Sequence, residues 1–408
     1  MKVAFLIDKN VFYRMFAPII EEMLSREHDV YCFHDAACPR DGIKGYLYPA
    51  LSDAPKFYNG NPIVVFYSGA IGFAEISKRL GIEVVVSLNY YNRHVPLHEL
   101  VGCFGVKWVA IQYALDQLPY SHLIDFPDRF FFFSSVWFEL VRTFKQPNMK
   151  LLTGDGVRFC GFPELDQLNT IDPIQVRSEL GIPEGKPVVL YLSFQYLMQG
   201  NQLYSRYLFS ENNLIMKLIA CLRHPKYFKY LLRGYNNENL FKAIKKFCDR
   251  NNAYLLINGR QKSPIPPYIV GDKTVTDVSF YPADILKCLS VADVCFSFWS
   301  TVVTECVPMG VANVCIAPEL DDIFPHHNRF GHNDSIFNHV LNMCPDLFDC
   351  DGVTRKMGIK ELIRDLPDMS LDEFDINPMI QALWIQKFLS SADSKSSERI
   401  VSEIETLF

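Results

Sequence analysis

Val3-Ala-Phe-Leu-Ile7 is apolar throughout, an amphipathic stretch follows at Tyr13–Ser25, and this alternation repeats along most of the chain. Parallel strands read as continuous apolar runs because helices cover both faces of the sheet, so the pattern predicts an α/β protein. The first series continues with strands at His28–Phe33, Ile63–Tyr67, Glu83–Leu88, Trp108–Gln112 and Arg129–Ser134. Ile171–Gly181 then reads as a helix, with Gly181 at its end and Pro183 beyond as stop signals. Lys186–Ser193 opens a second series, continued by strands at Ala253–Asn258, Val275–Ser279, Val294–Ser297 and Asn313–Ile316. Helices are expected at Leu214–Leu222, Glu238–Arg250, Pro282–Val291 and Thr301–Met309. Asp321–Asp375 is polar and irregular, and Pro378–Leu389 and Ser396–Leu407 read as closing helices. The expected organisation is one lobe at 1–168, a second at 169–376, and a closing segment at 377–408.

The 408 residues suffice for two such lobes, and a hydrophobic content of 49% excludes a mainly disordered chain. Lysine and arginine number 40 against 46 acidic residues, a net charge of −6, which argues against a dedicated nucleic-acid binder. The 12 cysteines include no C-x-x-C pair, so metal-ligand spacing is absent and no metal is expected. Most lie in apolar runs, as Cys295 and Cys315 do, and read as buried thiols of a reducing cytoplasm. The N-terminal apolar run is too short for a signal peptide, and no apolar segment approaches the ~20 residues of a membrane helix. The expected location is cytoplasmic, with peripheral association at the inner face of the cell membrane compatible with it.

The segment from Tyr281 to Ile316 is the most informative for chemistry. It reads as a helix, a buried strand, a hydroxyl-bearing turn with Ser297, Ser300 and Thr301, a second helix carrying Glu305, and a strand after Gly310. Ser300 and Thr301 fall where strand gives way to helix, and free N–H groups there would form an anion site. Glu305, four residues after Thr301, shares its helix face and is placed to accept from ribose hydroxyls. A plain βαβ unit whose Ser300 and Thr301 cap a helix is the competing explanation.

The order Ala292-Asp293, Ser297, Ser300-Thr301, Glu305, Gly310 resembles the donor-binding half of the GT-B glycosyltransferases. The resemblance is to the branch containing CDP-glycerol glycerophosphotransferases, UDP-N-acetylglucosamine 2-epimerase-like proteins and bacterial surface-polysaccharide transferases. Gly161-Phe-Pro163-Glu-Leu-Asp166 is similar to the junction leaving the acceptor lobe in such proteins, and Gly181-Ile-Pro183 to the start of the donor lobe. The resemblance implies two Rossmann-like doubly wound lobes facing across a cleft. It also implies a nucleotide-sugar donor (CMP-, CDP-, UDP- or GDP-linked) with no other cofactor, and a glycan or lipid-linked glycan acceptor of lipopolysaccharide or capsule type. A turn containing histidine, common after the corresponding strand in the glycerophosphotransferase-like proteins, is replaced here by Gln112-Tyr113-Ala114.

Other candidates come from position. Arg260 and Lys262 follow the strand at Tyr254–Ile257 and would neutralise a diphosphate, unless they form only a solvated basic turn. Ser279 precedes the donor helix, and the resemblance implies that its loop lies near the base or sugar. In the first lobe Asp8 is a candidate general base, with Lys9, Asn10 and Arg14 beside the first βα loop as anion-holding or polar contacts, unless Asp8 is only a capping aspartate with exposed basic neighbours. Asn92 and His94 in Asn89-Tyr-Tyr-Asn92-Arg93-His94, and Gln112 with Tyr113, are candidate acceptor contacts. Because the expected histidine is missing, an acid/base role passes to Asp8, His94 or Asp116. No G-x-G-x-x-G follows the first strand and no phosphate loop of the G-x-x-x-x-G-K-[S/T] type occurs, which disfavours a dehydrogenase or P-loop enzyme. The expectation is a metal-independent glycosyltransferase; a nucleotide-sugar 2-epimerase and a non-catalytic sugar-binding subunit of the same fold are the alternatives.

Overall fold

The computed structural model describes residues 1–36, 54–115, 123, 124, 126–143, 156–193, 218, 222, 237–260, 265–298, 300–317, 339, 340 and 342–408. By its internal contacts the chain divides into two units. One comprises Met1–Ile171, Ser279–Ala283 and Trp384–Phe408, and the other Asp172–Val278 and Asp284–Leu383.

The first unit runs β1 (Lys2–Ile7), α1 (Tyr13–Ser25), β2 (Asp29–Asp35), β3 (Ile63–Tyr67), α2 (Gly69–Leu80), β4 (Val84–Leu88), α3 (Val95–Gly102), β5 (Lys107–Ile111), β6 (Arg129–Phe132), α4 (Ser135–Thr143) and β7 (Val157–Phe159). Its seven strands are all parallel, in the order β3-β2-β1-β4-β5-β6-β7. β1 is central: Phe5 pairs with Cys32 on one side and Val86 on the other, and Val3 to Ile7 are all buried. Phe16 of α1 packs edge-on against Phe5 at 5.2 Å between ring centroids.

Pro18 lies inside α1 and has no N–H to give to the carbonyl of Arg14 one turn earlier. Gln167, from the 3-10 helix Pro163–Thr170, repairs that gap by donating its Nε2 to the Arg14 carbonyl at 2.6 Å. The same buried amide accepts from the Ala283 N–H at 2.9 Å, which ties the Ser279–Ala283 segment to this unit. Glu164 pairs with the Arg14 guanidinium. Asp166 accepts from the N–H groups of Ser396 and Ser397, at 3.2 and 2.6 Å, where α11 (Ser396–Glu405) begins. A Cβ on Gly161, whose φ is +90°, would come within 2.5 Å of Ser396 Oγ. The segment read as a lobe junction is therefore a clamp on α1 and α11.

The second unit runs α5 (Pro173–Leu180), β8 (Val188–Leu192), α6 (Asn237–Arg250), β9 (Tyr254–Arg260), β10 (Lys273–Asp277), α7 (Asp284–Leu289), β11 (Val294–Phe298), α8 (Val303–Cys306), β12 (Ala312–Ala317), β13 (Thr354–Gly358), α9 (Ile359–Asp365) and α10 (Pro378–Leu389), within whose length the division between units falls. Six parallel strands take the order β10-β9-β8-β11-β12-β13. Asp172 caps α5 by accepting from the Ile174 N–H at 2.9 Å, and Gly181 ends it in the left-handed conformation. Leu240, Ile244 and Phe247 of α6 join Val189, Phe296 and Val314 in one buried cluster.

Both sheets are thus doubly wound, as the apolar runs predict. Three readings change. β7 and β13 were not anticipated, and the helix expected over Thr301–Met309 is confined to Val303–Cys306, because Pro308 has no N–H to give to the Thr304 carbonyl and the chain goes on in turns closed by the Met309 N–H on Cys306 and the Gly310 N–H on Val307. The helix expected at Leu214–Leu222 falls outside the described residues apart from Leu218 and Leu222. Of the ten described cysteines eight are buried, and Cys32 shows the consequence: burial pushes its thiol up to about 12, against the pull of a Tyr13 hydrogen bond. Among the described residues no helix is long and apolar enough to cross a membrane.

Candidate functional site

In each sheet the strand order reverses direction between two neighbouring central strands, β1 and β4 in the first and β8 and β11 in the second. Loops leaving the carboxyl ends of such strands diverge and open a crevice, the place where open α/β sheets bind ligands.

At the first switch point Asp8 follows β1, and Asn89 to His94 follow β4. Asp8 and His94 are both buried, at 5% and 1% exposure, while the Arg93 side chain is 48% exposed. Arg93 donates a terminal N–H to Asp8 Oδ2. His94 Nε2 lies 3.9 Å from the same oxygen, a separation for charge interaction rather than a hydrogen bond. Burial alone would raise the Asp8 carboxyl, but His94, Arg93 and Lys9 outweigh it and hold its pKa below the ordinary carboxylate value. Burial lowers the His94 pKa, and attraction to Asp8 does not restore it. The pair is therefore an anionic carboxylate beside a neutral imidazole, the state in which either can accept a proton.

Two donors face that imidazole: the Tyr91 N–H at Nδ1 and the Arg93 Nε–H at Nε2, each at 3.3 Å. A neutral imidazole accepts at one nitrogen only, so only one of these is a hydrogen bond in either tautomer. Arg93 is accordingly anchored inward chiefly by Asp8, and its guanidinium lies over the Tyr91 ring at 5.0 Å.

Asn89 makes this loop possible. Its φ of 51° puts it in the left-handed region, which asparagine tolerates better than most residues. Its Oδ1 accepts from the Tyr113 N–H at 3.2 Å, and its Nδ2 donates to the Tyr91 hydroxyl at 3.1 Å. Gln112 repeats the device one strand along, its Oε1 accepting from the Phe133 N–H at 3.1 Å. Side-chain amides thus extend the sheet by a rung beyond the ends of β4 and β5.

The first-unit candidates separate accordingly. Asp8 and His94 come together, with exposed Asn92 on the same 3-10 turn and Lys9 adjacent to Asp8 in sequence. Asn10 opens the short 3-10 helix Asn10–Phe12. Tyr113 packs its ring against Phe12 at 5.0 Å. Two expectations are corrected: Arg14 is committed to Glu164, and Gln112 is a fully buried structural amide. Asp116 lies outside the described residues. Arg93 was passed over because nothing in the sequence brings residue 93 to residue 8; pairing of β1 with β4 does so.

At the second switch point Ser193 follows β8, and Ser300 and Thr301 follow β11. Ser193 is buried, and its N–H and Oγ reach the Asn258 carbonyl at 3.1 and 3.3 Å. Asn258 Nδ2 donates in turn to Asp277 Oδ1 at 2.8 Å. Ser300 Oγ accepts from the Val302 N–H at 3.3 Å, and the Thr301 carbonyl accepts from the Thr304 N–H at 2.9 Å and hydroxyl at 2.6 Å. The four-residue α8 carries little dipole and this turn satisfies part of itself, so its hydroxyls and remaining N–H groups, rather than a helix dipole, are what it offers an anion. Glu305 sits within α8 at 2% exposure.

Ser297 is also reassigned: it is buried within β11, and its hydroxyl accepts from Asn313 Nδ2 of β12 at 3.0 Å. Ser279 belongs to the segment held by the first unit, and its hydroxyl donates to the Pro282 carbonyl at 2.9 Å. Arg260 ends β9, paired in register with Asp277, which puts its backbone at the carboxyl edge of the sheet. Lys262 lies outside the described residues. Among the described residues no three His, Cys, Asp or Glu side chains gather to hold a metal ion.

No protein-family profile matches the chain, and no curated protein sequence does. Solved structures do. The wall teichoic acid polymerase TagF aligns over 99% of this chain and 88% of its own, with a TM-score of 0.59 and 12% identity. UDP-GlcNAc 2-epimerase from Neisseria meningitidis, bound to UDP-GlcNAc, covers 100% of both chains with a TM-score of 0.51 and 10% identity. Arabidopsis thaliana UGT89C1, complexed with UDP-L-rhamnose, covers 98% of both with a TM-score of 0.53 and 10% identity. With two parallel doubly wound sheets and these full-length likenesses, its fold is the GT-B fold.

Proposed function

We propose that the protein is a glycosyltransferase that moves a sugar from a nucleotide-activated donor to a cell-surface glycan. The observation that carries this reading is the Asp8–Arg93–His94 cluster at the switch point of the first sheet, a place for a base rather than for packing. Similarity to structures bound to UDP-GlcNAc and UDP-L-rhamnose supports a nucleotide-sugar donor.

In this reaction an acceptor hydroxyl attacks the anomeric carbon, a new C–O bond forms, and the bond from that carbon to the nucleotide phosphate breaks with its electrons passing to phosphate. Asp8 takes the hydroxyl proton, with neutral His94 beside it to share the charge. The second unit holds the nucleotide at the carboxyl ends of β8 and β11, where Ser300, Thr301 and Glu305 meet pentose or phosphate and Arg260 answers the charge of the departing group. Burial of Asp8 keeps water from competing for its proton-accepting position.

The experiment is nucleotide release from a panel of CMP-, CDP-, UDP- and GDP-sugars, with and without glycan acceptors, using the parent, Asp8→Asn and Glu305→Gln. The proposal expects acceptor-dependent release, lost in Asp8→Asn with nucleotide affinity kept, and weaker nucleotide binding in Glu305→Gln. Consumption of a nucleotide sugar without acceptor, with a rearranged sugar as product, would favour an epimerase, consistent with the full-length likeness to the Neisseria enzyme. Nucleotide binding without turnover of any donor would favour a binding subunit.

A further inference from the structure

We infer that Arg93 reads an anionic group on the acceptor beside Asp8, so that the acceptor carries a phosphate or carboxylate rather than being a neutral glycan. This rests on the transferase reading above and adds to it the chemical class of the acceptor.

Arg93, not Arg14, has a guanidinium edge open to a ligand at this switch point. Arg14 cannot serve: its side chain is 14% exposed and ion-paired with Glu164, which is itself buried. Arg93 is 48% exposed, and its contacts with Asp8 and His94 engage only one edge of the guanidinium. Those contacts face two of the five N–H donors a guanidinium carries, so three have no partner among the described residues. The plane over Tyr91 fixes the direction of the outer edge. A planar fork held in this way matches the paired oxygens of a phosphate or carboxylate better than a single sugar hydroxyl.

Charge points the same way. The groups acting on Asp8 are Arg93, Lys9 and the neutral His94, which leaves this cluster with one net positive charge when Asp8 is ionised. An anion on the outer edge of Arg93 completes the balance without displacing Asp8 from the inner edge. It also brings the acceptor next to the proposed base, so recognition of the charged group and placement of the reacting hydroxyl become one event.

The test uses the full chain labelled with 13Cε1-histidine, with the His94 signal assigned by its loss in His94→Gln. Methyl phosphate, glucuronate, glucose and sodium chloride at matched ionic strength are titrated separately. The His94 signal should move saturably with methyl phosphate or glucuronate, the responsive one naming the phosphate or carboxylate source, and should ignore glucose and chloride. Arg93→Gln should weaken that response about tenfold or more, and Arg93→Lys should recover only part of it. An unmoved His94 signal with both anions, or an unchanged titration in Arg93→Gln, overturns the assignment. The transfer assay separates the two levels: equal rates with anionic and neutral acceptors overturn the role of Arg93 alone, whereas an anion response with no donor turnover overturns the transferase reading beneath it.

Discussion

His34 should make the first unit acid-labile by an amount that can be calculated. The ring is 1% exposed, contacts the Tyr13 hydroxyl through Nε2 at 2.8 Å, and has no partner at Nδ1 among the described residues. Burial lowers its pKa from 6.5 to about 4. Because the folded state resists protonation, the unfolded chain binds the extra proton first. Stability is whole above pH 6.5 and is lost as the pH falls toward 4. Between pH 7 and pH 5 this one ring accounts for about 2 kcal/mol. His94 and His98 are also shifted down and add to the fall, so the comparison must be made against His34→Gln, which keeps a polar group near Tyr13 and removes the titration. Three of the four tryptophans, Trp108, Trp137 and Trp384, lie in the first unit, and their fluorescence reports its denaturant unfolding. The parent should lose about 2 kcal/mol more than His34→Gln between the two pH values. Equal losses would show that His34 is not held neutral by burial and would refute the reasoning.

Three further outcomes follow from the packing and the site. Gln167→Leu should cost about 2–5 kcal/mol by orphaning the Arg14 carbonyl and the Ala283 N–H, and adding Pro18→Ala should recover part of it by restoring an intrahelical donor; denaturant midpoints of the four-member cycle check both. Gly161→Ala should destabilise through its positive φ and the approach to Ser396 Oγ, with α11 showing faster amide exchange than α2. Asn89→Ala should lower turnover more than nucleotide affinity, because it releases the loop that holds Arg93 and His94 while leaving the second sheet untouched; transfer kinetics and nucleotide titration separate the two.

The fold was legible where apolar residues run unbroken or keep a helical period, as they do even in the half-exposed edge strand β3. Ile63–Tyr67, Tyr13–Ser25 and Pro378–Leu389 carry their own periodicity and appear with the bounds expected of them. β7 reads Val-Arg-Phe and β13 reads Thr-Arg-Lys-Met-Gly; both are edge strands, where exposed polar side chains erase the apolar run. The functional pattern was harder. Asp8 and His94 were visible as residue types at the ends of strands, but their meeting depends on β1 lying beside β4, and Arg93 acquires meaning only from that neighbour relation. Arg14 illustrates the reverse case: a cation in the expected place whose partner, Glu164, lies 150 residues away. Ser297 likewise has the right chemistry, yet the alternation of a buried strand points it at Asn313.

The nucleotide is the most direct point of attack on the whole account. A thermal-shift titration of the full chain with free CMP, CDP, UDP and GDP asks whether the GT-B scaffold holds one of them. One nucleotide should raise the unfolding midpoint, with a stabilisation approaching about 2.7 kcal/mol once it is present at a hundredfold excess over its dissociation constant. No displacement with any of the four, at concentrations where the unfolding transition itself stays cooperative, would contradict it.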